Sequence, residues 1–281
     1  MVAEVSWRGN FSHKEIESTY EMFTALEEGA AGPDRHYGIW SGPEDPTPVE
    51  EATGRLTDLV IGRLGVGAGS RVLDVGCGNG RPATRIAQLT GANVVGIDID
   101  RRALRTATAY AERQGVGDAV RFEYADALHP PFEDAAFDAA LAFESTPHFA
   151  VAELYGALAR VLRPGGRLVV ETPYVRGRAT ADVLERIGPY LRLVNAVSLD
   201  PPHTHLSVAR RAGLEITELL DITEQVHGSF GRLLDRLHAL RDRLAAALGE
   251  ERADHLLAAF AGWARAEEVG GVIMTFTRAE N

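Results

Sequence analysis

The sequence predicts an α/β protein in which helices cover both faces of a mostly parallel sheet. Three observations predict this fold class. Short β-rich runs alternate with helical segments between residues 71 and 173, and a glycine-rich turn follows the first run. The turn Arg163-Pro164-Gly165-Gly166 also breaks the third helical segment just before the fifth β-rich run. Such alternation is typical of parallel sheets joined by crossover helices.

Two helices with start signals are predicted ahead of the sheet. Ser12 and Glu15 form a capping box in front of an apolar stripe at helical spacing. Thr47 and Glu50 form a second box in front of another stripe. A loop rich in glycine and proline, residues 29–46, connects the two predicted helices.

The alternating region predicts five strands and three helices. The strands are expected at 71–75, 93–98, 120–125, 137–143 and 167–173. The helices are expected at 82–90, 101–114 and 151–162. Each strand should therefore end at the same edge of the sheet, where ligands bind in folds of this kind.

The alternation loosens after residue 173. About forty residues precede the next strand candidate, 214–221, which is long for a connection and predicts an inserted helical cap. Apolar positions at 233–244 and 256–263 predict two more helices. The run 272–277 predicts a last strand.

The composition of the chain indicates which binding partners and which cellular compartment to expect. The 281 residues carry a net charge of −11 with a pI near 5.3, which argues against binding to nucleic acid or to an anionic membrane surface. Cys77 is the single cysteine, so no internal disulfide is expected. The sequence shows no signal peptide and no apolar run long enough to span a bilayer, so a cytoplasmic protein is expected.

The strongest local signal is VLDVGCGNG at 72–80, an apolar strand that runs into a glycine-rich turn ahead of a helix. Glycines let the backbone approach a ligand without a Cβ clash. Dinucleotide enzymes also use such a turn, but their fingerprint requires Gly or Ala where this chain has Arg81. Asp74 would repel a pyrophosphate and suits a ligand that carries an ammonium and a sulfonium. The alternative is that Asp74 caps amides of its own turn.

Acidic residues also end the next two predicted strands. Asp98, about 20 residues beyond the turn, is placed to accept hydrogen bonds from ribose hydroxyls, and Ile99 can pack on an adenine face. Asp126 can accept from the adenine amino group, and Ala127 offers a backbone N–H. Either aspartate alone could be a helix cap. Three carboxylates at three successive strand ends favour a ligand site.

Four segments together resemble the class I methyltransferase family: VLDVGCGNG, VVGIDID, YADA and VLRPGGRLVV, over about residues 56–172. HYGIW, FESTPHF and VIMTFTR resemble its small-molecule branch in natural-product tailoring, which includes sugar O-methyltransferases. The resemblance implies a Rossmann-like, seven-stranded, mostly parallel sheet with an antiparallel last strand. It also implies four regions: an N-terminal helical lid (1–55), the core (56–174), a cap insertion (175–212), and the remaining core with substrate-side helices (213–281).

The resemblance implies S-adenosyl-L-methionine as cofactor, with S-adenosyl-L-homocysteine as product. The residues that it assigns to the cofactor besides the two lid aromatics are Asp74, Gly76, Gly78, Asn79, Gly80, Asp98, Ile99, Asp126, Ala127 and Phe143. Tyr37 and Trp40 would close over the methionine part or the acceptor, or else anchor a long loop in a core.

The segment after the fourth strand, FESTPH, carries the predicted chemistry. A hydroxyl acceptor loses a proton during methyl transfer, and histidine has a suitable pKa for removing it. His148 is therefore the candidate base or orienter, with Glu144 in support; a structural His148 is the alternative. Some relatives place an Asp near the end of the fifth strand, where this chain has Glu171.

The function predicted is O-methylation of a small secondary metabolite. N- or C-methylation, an NAD-dependent oxidoreductase, and a protein that keeps the fold without transferring methyl groups are the alternatives. A homodimer stays open. No metal is expected, because His203 and His205 have no carboxylate cluster beside them, and His205 is predicted to cap the following helix.

Overall fold

The computed structural model describes Trp7, Gly9, Phe11 and residues 36–42 and 44–280. The predicted first helix, with Ser12 and Glu15, lies outside these residues.

Seven strands and ten α-helices are found in the described part of the chain. The strands are β1 (Arg71–Val75), β2 (Asn93–Asp98), β3 (Val120–Tyr124), β4 (Phe137–Phe143), β5 (Leu162–Val175), β6 (Leu214–Asp221) and β7 (Val269–Arg278). The helices are α1 (Val49–Leu64), α2 (Arg81–Thr90), α3 (Arg101–Arg113), α4 (Val151–Val161), α5 (Ala181–Leu193), α6 (Pro202–Arg211), α7 (Thr223–Val226), α8 (Ser229–Ala239), α9 (Arg241–Leu248) and α10 (Glu250–Ala264). A short 3₁₀ helix, Thr146–His148, follows β4.

The sheet has the strand order β3-β2-β1-β4-β5-β7-β6. β1 pairs in parallel with β2 and β4, β2 with β3, and β4 with β5, whereas β6 and β7 are antiparallel. The predicted fold class is confirmed. The chain passes from β1 outward to β3 and then returns to β4, so the order reverses between β1 and β4. In open α/β sheets the ligand crevice lies at such a reversal.

From residue 71 to 161 the predicted boundaries of strands and helices lie within one residue of the observed ones. Later boundaries differ more: the helix predicted at 233–244 is two helices, α8 and α9, α10 begins six residues before 256, and β7 begins three residues before 272. β5 starts at Leu162, five residues earlier than expected. Leu162 pairs with Phe137 and Arg167 with Ala139, so the register shifts between these pairs. The predicted turn at Arg163–Gly166 is therefore a bulge inside the strand, with Gly165 at φ +73°.

The contacts of the chain divide it into two compact units. The sheet unit comprises residues 57–172, 201–221 and 272–281, and the helical unit comprises 1–56, 173–200 and 222–271. The central strands β1 and β4 of the sheet unit are almost completely buried, because apolar residues fill both of their faces. This rigid centre supports the turns at the carboxyl edge.

The helical unit has an aromatic core. Tyr190 lies 4.5 Å from Trp263 and 5.2 Å from Phe230 between ring centroids, and Tyr37 lies 5.3 Å from Phe230. Leucines of α8, α9 and α10 form an apolar cluster that includes Leu244. No helix in the described ranges is both long and apolar enough to cross a bilayer.

Candidate functional site

The glycine-rich turn after β1 is tied to the end of β2. The amides of Gly76 and Cys77 both donate to the carbonyl of Ile97, at 2.9 and 3.1 Å. The Gly78 amide donates to Oδ2 of Asp98 at 2.9 Å. These bonds hold the turn in one conformation at the carboxyl edge of the sheet.

The three glycines of the turn have positive φ, but they face different surroundings. A Cβ on Gly80 would lie 2.4 Å from Cζ of Phe122, and one on Gly76 would lie 2.7 Å from Cβ of Ser145. A Cβ on Gly78 would meet no heavy atom within 4 Å. Protein packing therefore requires two of the glycines, and Gly78 is the one that leaves space for a ligand.

Asp74, on β1, is a buried carboxyl with an unused acceptor. It is 2% exposed, and its Oδ2 has no hydrogen-bond partner among the described residues. Burial, and then the charge of Asp98, raise the pKa of Asp74 to about 7. An oxygen that capped the turn would have an N–H partner, so the structure does not support that alternative for Oδ2.

The predicted ribose-binding residue, Asp98, is half-buried at the end of β2 and also braces the backbone. Its Oδ1 accepts from the Asp100 amide at 2.9 Å, in addition to the bond from Gly78. Each carboxylate oxygen can accept a further bond, so ribose hydroxyls remain compatible with this arrangement. Asn79 lies next to Gly78 in the turn and is half-buried.

Sequence reasoning overlooked Asp100, two residues further on. Its Oδ1 accepts from the amides of Arg102 and Ala103 and caps α3. Its Oδ2 is buried without a hydrogen-bond partner in the described chain. An aspartate directly before a helical run was the available signal.

The carboxylate of Asp126, after β3, makes local contacts with the residues that follow it. Its Oδ1 accepts from the Leu128 amide at 2.9 Å, and its Oδ2 lies 3.3 Å from Nδ1 of His129. This is the local capping that had been the alternative to adenine binding. Ala127 is buried and Ile99 half-buried.

The end of β4 lies directly beside the glycine-rich turn. Phe143 is buried, and Glu144 follows it with φ +48°, a strained conformation for a residue with a Cβ. Ser145 packs against Gly76, and its Oγ is buried without a hydrogen-bond partner in the described residues. Sequence reasoning did not single out Ser145, since serine in a loop is common. The half-buried His148 ends the 3₁₀ helix that follows.

The end of β5 adds a second unusual carboxyl. Glu171 is fully buried, and neither of its carboxyl oxygens has a hydrogen-bond partner within the described chain. Burial, followed by the charge of Glu144, raises the pKa of Glu171 well above its ordinary value. The next residue on the strand, Thr172, accepts a hydrogen bond from Oγ1 of Thr146 at 2.7 Å. The ends of β4 and β5 thus form one polar cluster.

The two lid aromatics belong to the helical unit, where both are buried. Tyr37 is 4% and Trp40 is 3% exposed. The Trp40 indole N–H donates to the Thr47 carbonyl, and the Arg232 guanidinium lies 4.6 Å from the Trp40 ring centroid. Trp40 thus anchors its loop, which matches the alternative weighed for this pair.

Tyr37 lines an opening in the helical unit. The opening is continuous with solvent. Its other lining side chains include those of His227, Phe230 and Trp263. Aromatic rings with one polar imidazole are typical of sites for small organic molecules.

The predicted role of His205 was wrong. His205 lies inside α6 and is buried, with Nδ1 2.8 Å from the hydroxyl of Tyr155. It therefore joins α6 to α4 instead of capping a helix. His203 is exposed. Within the described residues, no three His, Cys, Asp or Glu side chains are grouped to hold a metal ion.

The residues at the carboxyl edge fit the cofactor that the resemblance implies. A cationic ammonium and sulfonium would satisfy the unused, partly ionised carboxyl of Asp74, which otherwise pays an electrostatic penalty. The open side of Gly78 admits a ligand beside it. Asp98 is a carboxylate, a group that accepts hydrogen bonds from hydroxyls.

Comparisons with known proteins agree with this fit. A family model described as "Methyltransferase domain" matches residues 72–166. "Methyltransferase GfsG" of Streptomyces halstedii is 36% identical over 85% of this chain and 84% of its own length. "27-O-demethylrifamycin SV methyltransferase" of Amycolatopsis mediterranei is 35% identical over 93% of this chain and 96% of its own.

Two solved structures show the same architecture. The crystal structure of the [4+2]-cyclase SpnF superposes with a TM-score of 0.86 at 27% identity and covers 98% of this chain and 99% of that one. The cyclopropane synthase MmaA2 from Mycobacterium tuberculosis has a TM-score of 0.83 at 17% identity, with 95% and 98% covered. At that identity the second likeness shows the fold alone.

Proposed function

Because this chain belongs to the class I S-adenosylmethionine-dependent methyltransferases, we propose that it methylates a hydroxyl group of a small natural product. S-adenosyl-L-methionine is its methyl donor. Two relatives at 35–36% identity over most of the chain support the substrate class, since one of them is named for O-methylation of a rifamycin. The acceptor's identity is part of the proposal.

One observation carries the proposal: the end of β4 touches the glycine-rich turn. Gly76 and Ser145 are so close that a Cβ on the glycine would overlap the serine. His148 lies three residues beyond Ser145, on the 3₁₀ helix. The candidate base and the cofactor turn therefore belong to one rigid edge of the sheet unit, as an in-line transfer requires.

The chain's residues have separate tasks in this reaction. When bound, the cofactor supplies a methyl group on a good leaving group, so positioning is the main requirement. We propose that Asp74 holds the cationic amino-acid end and that Asp98, Ile99, Asp126 and Ala127 bind the adenosine. His148 would take the proton of the acceptor hydroxyl, and the bound cofactor would supply the methyl group that replaces this proton on the oxygen.

Labelled methyl transfer tests this function. Purified protein is incubated with methyl-labelled cofactor and matched pairs of metabolites that carry a hydroxyl or an amine at the same position. We expect labelled methyl ethers and S-adenosyl-L-homocysteine in equal amounts. Label found only on nitrogen or carbon would overturn the O-assignment and leave the methyltransferase identity intact.

His148→Ala is expected to lower kcat for a hydroxyl acceptor by about 10²–10⁴-fold, because it removes the group that is proposed to take the proton. The dissociation constant of the cofactor should change little. His255→Ala is a matched control, since His255 is exposed on α10. If His148→Ala keeps wild-type kcat at every pH, His148 has a structural role and the base must be found elsewhere.

We also propose that the aromatic opening of the helical unit binds the apolar part of the acceptor. Phe230 is half-buried in its lining. Phe230→Ala is expected to raise the acceptor KM about tenfold, which corresponds to about 1.4 kcal/mol of lost contact, with the cofactor affinity unchanged. Leu219→Ala removes an exposed apolar side chain of β6 and serves as the control. An unchanged acceptor KM in a folded Phe230→Ala protein would exclude this opening as the subsite.

The remaining expectations are proposals of the same kind. We propose a cytoplasmic location and no nucleic-acid or membrane partner, and a homodimer stays open. The net charge of −11 supports the absence of a nucleic-acid partner. The regions 1–55 and 175–212 are proposed to be the lid and the cap insertion on the acceptor side.

A further inference from the structure

Ser229, the first residue of α8, is bonded twice to one residue of the loop that precedes α1. The Gly38 amide donates to Oγ of Ser229 at 3.1 Å, and this hydroxyl donates to the Gly38 carbonyl at 3.2 Å. Within the described residues, both hydrogen bonds of the hydroxyl go to Gly38. The hydroxyl therefore serves the loop and leaves the free amides of its own helix start to other partners.

The loop around Gly38 is also fixed from its other side. A Cβ on Gly38 would lie 2.6 Å from Cη2 of Trp40 and 2.9 Å from Cβ of Ala52, so the backbone has no spare room there. The Ile39 amide donates to the Ala52 carbonyl at 2.9 Å, and the Trp40 amide donates to the Gln225 carbonyl at 3.0 Å. These two bonds join backbone to backbone, whereas the bonds to Ser229 use a side chain that a substitution can remove.

Two arginines on the same side of α8 hold the rest of this loop. Arg232 and Arg236 follow Ser229 by three and seven residues, which places all three along one face of the helix. Nη2 of Arg232 donates to the Asp45 carbonyl at 3.1 Å, and Arg236 pairs with Glu50 at 2.7 Å. The loop is thus laid along α8, and Ser229 holds the end of it that adjoins the aromatic opening.

The chain neighbours of the bonded pair are two aromatic residues that line this opening. Tyr37 precedes Gly38, and Phe230 follows Ser229. The rings of Tyr37 and Phe230 meet edge to face, with centroids 5.3 Å apart. Phe230 also packs against Trp263 of α10 at 5.5 Å, so the core of the helical unit holds its ring. Tyr37 is carried by the loop, and its position therefore follows that of Gly38.

We propose that Ser229 is a positioning residue for the acceptor. By tying Gly38 to α8, it keeps the Tyr37 ring against the Phe230 ring and presents the acceptor with one preformed aromatic wall. The inference rests on the proposed function, in which this opening binds the apolar part of the acceptor. A preformed wall loses little conformational freedom on binding, which raises affinity without a new contact. The wall suits an acceptor with a flat aromatic or conjugated part, because such groups pair edge to face or offset with aromatic rings.

Two substitutions at residue 229 separate the hydroxyl from the rest of the side chain. Ser229→Ala removes both hydrogen bonds, and Ser229→Thr keeps the hydroxyl that makes them. We expect Ser229→Ala to raise the acceptor KM about three- to tenfold, with kcat within about twofold and the cofactor dissociation constant unchanged. Ser229→Thr should return the KM to within about twofold of the wild type. Ser207→Ala removes an exposed hydroxyl of α6 that accepts from Arg211 and is the matched control.

Binding of naphthol, a flat aromatic alcohol, tests the inference without turnover. In protein labelled with fluorotryptophan, fluorine NMR reports on Trp263 in the lining of the opening, and Trp263→Phe assigns its resonance. We expect naphthol to shift this resonance and to bind about three- to tenfold more weakly to Ser229→Ala than to the wild type or Ser229→Thr. The proposal is overturned if naphthol leaves the resonance unmoved, if Ser229→Ala binds it as the wild type does, or if Ser229→Thr binds it as weakly as Ser229→Ala.

Amide hydrogen exchange of the wild-type protein adds a readout that needs no variant. The Gly38 amide, which donates to Ser229, should exchange more slowly when naphthol is bound, because a ligand on the wall stabilises the loop that carries Tyr37. An unchanged exchange rate contradicts the proposal, and this measurement decides should Ser229→Ala not fold. Should no hydroxyl acceptor be methylated at all, the proposed function fails, and naphthol binding and Gly38 exchange still decide the role of Ser229.

Discussion

Asp74→Asn is expected to weaken the binding of S-adenosyl-L-methionine at pH 8 by about 30–150-fold, or roughly 2–3 kcal/mol. The substitution keeps the shape of the side chain and removes the charge, and a hydrogen bond to a charged group contributes about that much. Isothermal titration calorimetry measures the change. Asp118→Asn removes an exposed aspartate after α3 and is the control for net charge.

The affinity for S-adenosyl-L-methionine should also depend on pH, and it should rise as the pH rises. The pKa of Asp74 is raised to about 7 in the folded protein, mainly by burial. The affinity of the wild-type protein for the cation should therefore rise between pH 6 and 8 as Asp74 ionises, with release of a proton on binding. Asp74→Asn should show no such rise. A parallel pH dependence in both proteins would contradict the assignment of Asp74 to the cationic end.

The stability of the ligand-free wild-type protein should fall as the pH rises, whereas its affinity for the cofactor rises. A carboxyl whose folded pKa is raised contributes stability below its unfolded pKa, and that stability is lost as pH rises through about 7. Above pH 7 the ligand-free Asp74→Asn protein should therefore unfold at a higher temperature than the wild type. The same variant then gains stability and loses affinity, which a general folding defect would not produce.

Gly80→Ala is expected to destabilise the protein by about 2–5 kcal/mol. The residue has φ +75°, which costs an alanine about 1–2 kcal/mol. The added Cβ would also lie 2.4 Å from the Phe122 ring and 2.6 Å from Cβ of Ala107, and overpacking of this kind costs about 1–3 kcal/mol. Thermal and urea unfolding of the ligand-free protein measure the loss.

Gly78→Ala is the matched comparison in the same turn. Its φ of +50° costs an alanine about 1–2 kcal/mol, but its Cβ would meet no protein atom within 4 Å. We expect a smaller loss of stability than for Gly80→Ala and a larger loss of cofactor affinity. Phe122→Leu should restore part of the stability of Gly80→Ala and none of that of Gly78→Ala. Equal stability losses in the two glycine variants would contradict the packing explanation.

The structural similarity to a [4+2]-cyclase shows that this fold does not by itself determine the reaction. That protein superposes on 98% of this chain with a TM-score of 0.86, yet its name describes a different reaction. The reaction is set by side chains placed on the scaffold. We propose that the residues after β4 and the aromatic opening of the helical unit select the acceptor of this chain, and variants of both test this.

The sequence predicts the position of the glycine-rich turn but not the packing around its glycines. The order strand, glycines, helix is local, and it correctly predicts a turn at the carboxyl edge of the sheet. Gly80 is required because the Phe122 ring, more than forty residues away in the chain, fills the space beside it, whereas the space beside Gly78 is open. No local pattern reveals which side chain will fill the space beside a glycine.

The sequence by itself determined the fold class, the order of strands and helices and the cofactor family, because periodicity and turn chemistry depend on near neighbours. Only the tertiary structure decided that Glu171 is buried beside Glu144, that Ser145 touches Gly76, and that His205 joins Tyr155. It also decided that three separate stretches of chain, 1–56, 173–200 and 222–271, form one helical unit. These features arise from contacts between residues far apart in sequence, and burial sets their electrostatics.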